Sequence, residues 1–160
     1  MNEINGPAAR VRDAAESFGL SVTIRTMPES TRTAEEAASA CGCSVGEIVK
    51  SLVFRTRETG RPVLLLVSGA NRVDEAAIAA HIGEPIERPN AAFVREVTGY
   101  AIGGIPPFAH ARPLETWFDR DLLAYEQVWA AAGTPFAVFW VEPKALCRAV
   151  GGQVVAMRGS

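Results

Sequence analysis

Pro62-Val63-Leu64-Leu65-Leu66-Val67-Ser68 runs through five apolar side chains without a polar interruption. Successive side chains of a strand point to opposite faces. A strand that is apolar at every position is therefore covered on both sides. Upstream, Glu58-Thr59-Gly60-Arg61 has turn chemistry, and Ser51-Leu52-Val53-Phe54-Arg55 has the β-branched and aromatic content of a partner strand. The two strands read as a β-hairpin, and the rest of the chain has to supply a layer for each of its faces.

Before the hairpin, Thr33-Ala34-Glu35-Glu36 is a capping box ahead of an alanine-rich helix that stops near Gly42. A second box, Ser44-Val45-Gly46-Glu47, opens a short helical turn ending near Lys50. Further back, Pro7 to Leu20 predicts a helix and Ser21 to Thr26 a strand. After the hairpin, Asp74 can cap a helix to about His81 with Gly83 behind it, and Asn90 another to about Val97. Strands are expected near 116–118, 127–131 and 136–141, a last helix from Glu142-Pro143, and a final strand at Val154-Val155. This order predicts an α+β fold: one domain over residues 1–160, with a mixed, barrel-like sheet surrounded by helices.

Composition narrows the function classes. The 160 residues are 48% apolar and 21% charged, with a formal net charge of -2. Proteins that coat a nucleic-acid backbone carry a large basic excess, so general DNA binding is not expected and any RNA must be held over a short stretch. Three cysteines give no disulfide framework and fit a reducing, cytoplasmic setting. No run approaches the roughly 20 apolar residues of a membrane span, and Met1 to Asn5 lacks the pattern of a signal peptide.

Four features could carry chemistry. In Gly103-Gly104-Ile105-Pro106-Pro107, adjacent glycines admit positive φ and close approach of a ligand, and two prolines then stiffen the chain. The loop either aims backbone N–H groups at an oxygen or is a tight connection. Lys50, between Ile48-Val49 and Leu52-Val53, either reaches water along its stem or points into a cleft as an anion binder. Cys41-Gly42-Cys43 lacks the further ligands a zinc site needs, so no metal or other cofactor is expected and helix-end packing is the better account. His110 sits beside the proline pair as a pocket residue or a solvated one. Trp117, Trp129 and Trp140 are expected in the core.

Val49 to Phe54, Leu65 to Gly69, and Thr98-Gly99-Tyr100-Ala101-Ile102-Gly103-Gly104-Ile105-Pro106-Pro107-Phe108, taken together and in this order, resemble the YbaK/EbsC family, whose domain is also the editing insertion of bacterial prolyl-tRNA synthetase. Asp119 to Leu123 and Val128 to Thr134 are similar to its C-terminal half. The resemblance implies a trans-acting deacylase that hydrolyses the ester of mischarged tRNA, foremost tRNA(Pro). It implies Lys50 at the terminal adenosine, and Gly103 and Gly104 at the aminoacyl carbonyl. It also implies Thr31 in the amino-acid pocket and Asp119 close by, with Ser68, Ile105, Pro106, Pro107, His110 and Gly133 as further substrate-binding positions. The implied partner is the tRNA acceptor end, with prolyl-tRNA synthetase or an elongation factor supplying tRNA selection. The alternative is a non-catalytic tRNA- or synthetase-binding module. One departure is Ala109 where the family often has glycine; a Cβ there disfavours positive φ and bears on where His110 goes.

Overall fold

The computed structural model describes residues 6–158, so the reading of Met1 to Asn5 lies outside it. The chain forms α1 (Gly6–Ser17), β1 (Ile24–Thr26), α2 (Ala34–Cys41), β2 (Val49–Thr56), β3 (Pro62–Ser68), α3 (Glu75–Ile82), β4 (Ile86–Glu87), α4 (Ala91–Thr98), β5 (Glu115–Asp119), β6 (Val128–Ala131), β7 (Ala137–Val141), α5 (Pro143–Val150) and β8 (Gln153–Val155). Single 3₁₀ turns cover Val45–Glu47 and Arg120–Ala124.

β2 and β3 are the expected antiparallel hairpin, with Lys50 opposite Val67 and Phe54 opposite Val63. β3 then pairs in parallel with β5, and β5 with β8. β4 covers only Arg55 and Thr56 at the outer edge of β2. The five strands lie in the order β4-β2-β3-β5-β8, and a separate antiparallel sheet has the order β1-β7-β6. An isolated parallel bridge, Ile48 to Trp129, links the two sheets. The mixed sheet is therefore split and does not close into a barrel.

Every residue from Val63 to Val67 is fully buried. Leu64 and Leu66 join Val49, Val53, Phe118 and Phe139 in one core cluster; Val63, Leu65 and Val67 join Phe54, Ile78, Ile86 and Trp117 in another. The two faces of one strand thus serve two cores. Each such leucine stabilises the fold by about 1.5–3 kcal/mol through its burial.

The helix signals act as chemistry requires. Thr33 Oγ1 accepts from the Glu36 N–H at 3.1 Å, the Glu36 carboxylate accepts from the Thr33 N–H at 3.2 Å, and Gly42 ends α2 at φ 69°. Asp74 and Asn90 cap α3 and α4 through the N–H groups of Ala77 and Phe93. Four expectations need correction. α1 ends at Ser17 instead of Leu20, and the first strand is confined to Ile24–Thr26, where β7 offers a partner. Lys50 lies inside β2, because the 3₁₀ turn ends at Glu47 and pairing with β3 starts at Val49. Trp140 is 43% exposed, whereas Trp117 and Trp129 are buried.

Candidate active site

A groove of about 360 Å³ opens between the two sheets. One wall is Ile48 and the edge of β2 from Val49 to Leu52; the other is Trp129, Ala130 and Ala131 of β6 with Val138 of β7. The start of α2 with Glu35, the segment Thr31 to Thr33, and Ile102, Gly103 and Ile105 complete the lining, with Arg32 lying against Gly103.

The groove exists because β2 is only partly covered. Thr56 donates its N–H to Arg61 O, and Gly69 donates its N–H to Ile48 O, so the even-numbered residues of β2 turn their backbone groups toward β3. The odd-numbered ones face away. Arg55 finds β4 there, but among the described residues no strand pairs with Ser51 on that side. Its N–H and C=O are left on the groove side of the sheet.

Lys50 is half-buried, and its Nζ donates to Asn71 O. Burial pulls its pKa below the ordinary lysine value, while the carboxylates of Glu35 and Asp119 act in the opposite direction. Asn71 itself is held from behind. Its Nδ2 donates to Asp119 Oδ2 at 2.8 Å and to Asp121 Oδ2 at 2.9 Å. Asp119, fully buried, also accepts from the Ser68 N–H at 2.9 Å and through Oδ1 from the Asp121 N–H at 2.9 Å. Asp119 thus acts on Lys50 at one remove, by fixing the loop whose carbonyl receives the ammonium.

The glycine pair divides its work. Gly103, at φ 98°, lines the groove. Its amide and that of Ile105 have no hydrogen-bond partner among the described residues. The Gly104 N–H is bonded to Ala101 O at 3.1 Å, and a Cβ on Gly104 would lie 2.8 Å from the backbone of Thr134. Gly104 is needed because the β6–β7 turn packs against it.

A family model described as the aminoacyl-tRNA editing domain matches residues 28–149. The chain belongs to the aminoacyl-tRNA editing domain family. It is 32% identical to the Bacillus subtilis protein YwhH over 73% of this chain and 74% of that one. It is 30% identical to a Bacillus licheniformis proline–tRNA ligase over 76% of this chain, which spans only 21% of the ligase. A solved structure of a "putative trans-editing enzyme for prolyl tRNA synthetase" superposes with a TM-score of 0.91 at 45% identity, covering 99% of this chain and 100% of that one.

Within this editing domain, Lys50, Gly103, Ile105 and Thr31 meet at the groove, although they are far apart in sequence. The Thr31 hydroxyl already donates to Pro135 O at 2.9 Å. The remaining candidates lie outside the groove lining. Ser68 Oγ donates to Gly46 O at 2.7 Å. Gly133, at φ 96°, takes the close approach of Pro7. Pro106 and Pro107 are buried behind the loop. Ala109 adopts φ 70° despite its Cβ. That backbone turn lets His110 Nε2 bond Pro106 O at 2.8 Å, so the ring braces the loop from behind. A carbonyl can only accept, so the proton sits on Nε2. Burial lowers the pKa of His110, against the effect of this bond, and favours the neutral ring.

The sequence reading passed over Asn71, Arg32, Glu35 and the small residues Ala34, Ala37, Ala130 and Ala131. Asn71 had a signal, a lone amide two residues after the Ser68-Gly69 strand end. The alanines had none, since a small residue that leaves room is indistinguishable in sequence from one that fills it. The cysteines are free; Cys41 and Cys43 pack at the end of α2, and burial raises the Cys43 thiol to about 11.

Proposed function

We propose that this editing domain is a trans-acting deacylase that hydrolyses the aminoacyl ester at the 3′ end of mischarged tRNA, with tRNA(Pro) as its first substrate. The observation that carries this reading is that one groove is lined by a half-buried lysine and by two loop residues whose amides have no hydrogen-bond partner among the described residues. The Lys50 ammonium suits the phosphate or sugar of the terminal nucleotide. The N–H groups of Gly103 and Ile105 suit the ester carbonyl oxygen, where negative charge develops.

The chemistry asks little more of the protein. Water adds to the carbonyl carbon, the bond to the ribose oxygen breaks, and that oxygen leaves with a proton. The ester is activated, so holding it beside water and stabilising the oxyanion supplies much of the acceleration. A wall of alanines with Ile48, Trp129 and Val138 favours a small side chain on the amino acid. Discrimination of this kind is bounded at about 1–3 kcal/mol per methylene.

The test is release of labelled amino acid from a panel of mischarged tRNAs. The wild-type protein is expected to hydrolyse at least one, and Lys50→Ala to slow it about 10–100-fold. That range corresponds to the 1.5–3 kcal/mol of a hydrogen bond to a charged group. A folded Lys50→Ala with full activity removes Lys50 from the reading. Tight binding without turnover by the wild type would make the domain a tRNA-binding module instead.

A further inference from the structure

A second cavity, of about 350 Å³, adjoins the groove and is lined by Arg32, Ala91, Ala92, Arg95, Ala101 and Ile102. Arg32 and Ile102 line both spaces and form the partition between them. Ile102 is 48% exposed. A single exposed isoleucine is ordinary, but this one stands on the crest between two hollows. Arg32 is set in place by the loop glycine: a Cβ on Gly103 would overlap Arg32 Cγ, so the arginine stem lies where glycine leaves room. Among the described residues, neither Arg32 nor Arg95 forms an ion pair. Two guanidinium groups thus flank the second cavity without a carboxylate, in a chain whose net charge is -2.

We propose that this cavity binds the phosphodiester next to the terminal nucleotide of a single-stranded RNA 3′ end. Arg32 and Arg95 neutralise the phosphate, and Ile102 packs against a base. The proposal rests on the deacylase reading for what occupies the main groove. A cationic track interleaved with apolar platforms is how single strands are held without reading their sequence. The shared wall makes the two cavities consecutive along one ligand. Ala91 and Ala92 keep the second cavity open, and Arg95 projects from an exposed position of α4 that alanine can occupy without breaking the helix.

The experiment compares wild type with Arg95→Ala on two substrates: mischarged tRNA, and the same amino acid esterified to adenosine alone, which has no phosphodiester. The expected result is a KM on tRNA raised about 10-fold, the size of one charged phosphate contact, with kcat unchanged and no effect on the adenosine ester. The slope of log KM against log salt should fall by about 0.7, the value for one phosphate on a single strand. An unchanged KM and slope on tRNA overturns the proposal, as does an equal loss on both substrates. Binding of a labelled cytidine-cytidine-adenosine trinucleotide gives a readout free of turnover. Equal affinity of the two proteins for it also overturns the proposal, whether or not the wild type is a deacylase. A wild type that hydrolyses neither ester but binds the trinucleotide through Arg95 would defeat the deacylase reading and leave the RNA site standing.

Discussion

Asp119→Asn isolates the support behind Lys50. The carboxylate takes three hydrogen bonds: Oδ2 from the Ser68 N–H and Asn71 Nδ2, and Oδ1 from the Asp121 N–H. An asparagine keeps one acceptor oxygen. Placed at the Oδ2 position it retains two bonds, and its NH₂ then faces the Asp121 N–H, donor against donor. One hydrogen bond to a charged group is lost, worth about 1.5–3 kcal/mol, and a buried amide is left without a partner at a further cost of about 1–3 kcal/mol. Some relaxation of the Arg120–Ala124 turn will offset part of this, so a loss of about 2–4 kcal/mol is expected. A domain with 5–15 kcal/mol of stability remains folded. Denaturant unfolding of the two proteins gives the number, with an unchanged slope showing that only stability moved. The substitution also removes a carboxylate that favours the charged form of Lys50. Lys50 should then lose its proton at lower pH, and the alkaline limb of its titration, followed by NMR at the ammonium, should shift downward. An unfolding free energy within about 0.5 kcal/mol of wild type, together with an unmoved Lys50 titration, would falsify the claim that Asp119 holds the Asn71 loop.

Three further substitutions test other parts of the framework. Gly104→Ala drives a Cβ to 2.8 Å from the Thr134 backbone and should destabilise by about 1–3 kcal/mol as an overpacked contact; an unfolding midpoint equal to wild type would refute the packing role. Ala109→Gly should stabilise by up to about 1 kcal/mol, because Ala109 stands at φ 70° and glycine accepts that conformation freely; a loss of stability would mean the chain is not left-handed there. Glu84 is buried, which works to raise its pKa, but hydrogen bonds from the N–H groups of Thr59 and Glu58 and from the Thr59 hydroxyl hold it down to about 2. A depressed carboxylate pKa gives stability that is fully present above the unfolded value near 4.5 and is lost as pH falls toward 2. Glu84→Gln should therefore be less stable than wild type at neutral pH, with the gap closing over that window; a gap that stays constant from pH 6 to pH 2 would contradict the assignment.

How much of this was legible depends on whether a residue's job is local. Thr33 and Glu36 satisfy each other within one turn, and Gly42, Gly83 and Gly99 end their helices by their own φ, so those boundaries could be read directly. Val63 to Val67 announced a doubly covered strand because burial on both faces leaves no polar alternation. β4 was missed because two residues of strand carry no periodicity. Ser68 and Asp119 were read as substrate-binding positions, yet nothing local says that they meet each other, the N–H of one on the carboxylate of the other, behind the groove.

The same distinction explains why the glycine loop was read as a unit when it is not one. Gly103 and Gly104 are equivalent in sequence, but their neighbours come from opposite ends of the chain: Arg32 against the first, Thr134 against the second. Each glycine is fixed by a different long-range contact, so a Cβ should have different consequences at the two positions. At Gly104 it meets backbone, which cannot swing away. At Gly103 it meets the middle of a flexible arginine side chain, which can move, though φ 98° still penalises any L residue. Gly103→Ala should therefore displace Arg32 from the wall shared by the two cavities as well as strain the loop. If so, combining Gly103→Ala with Arg32→Ala should cost less than the sum of the two single changes, because the second removes the atoms the first collides with. Strict additivity in a double-mutant cycle, read by unfolding and by KM on tRNA, would show that Gly103 and Arg32 act independently, and that the glycine is present for its backbone alone.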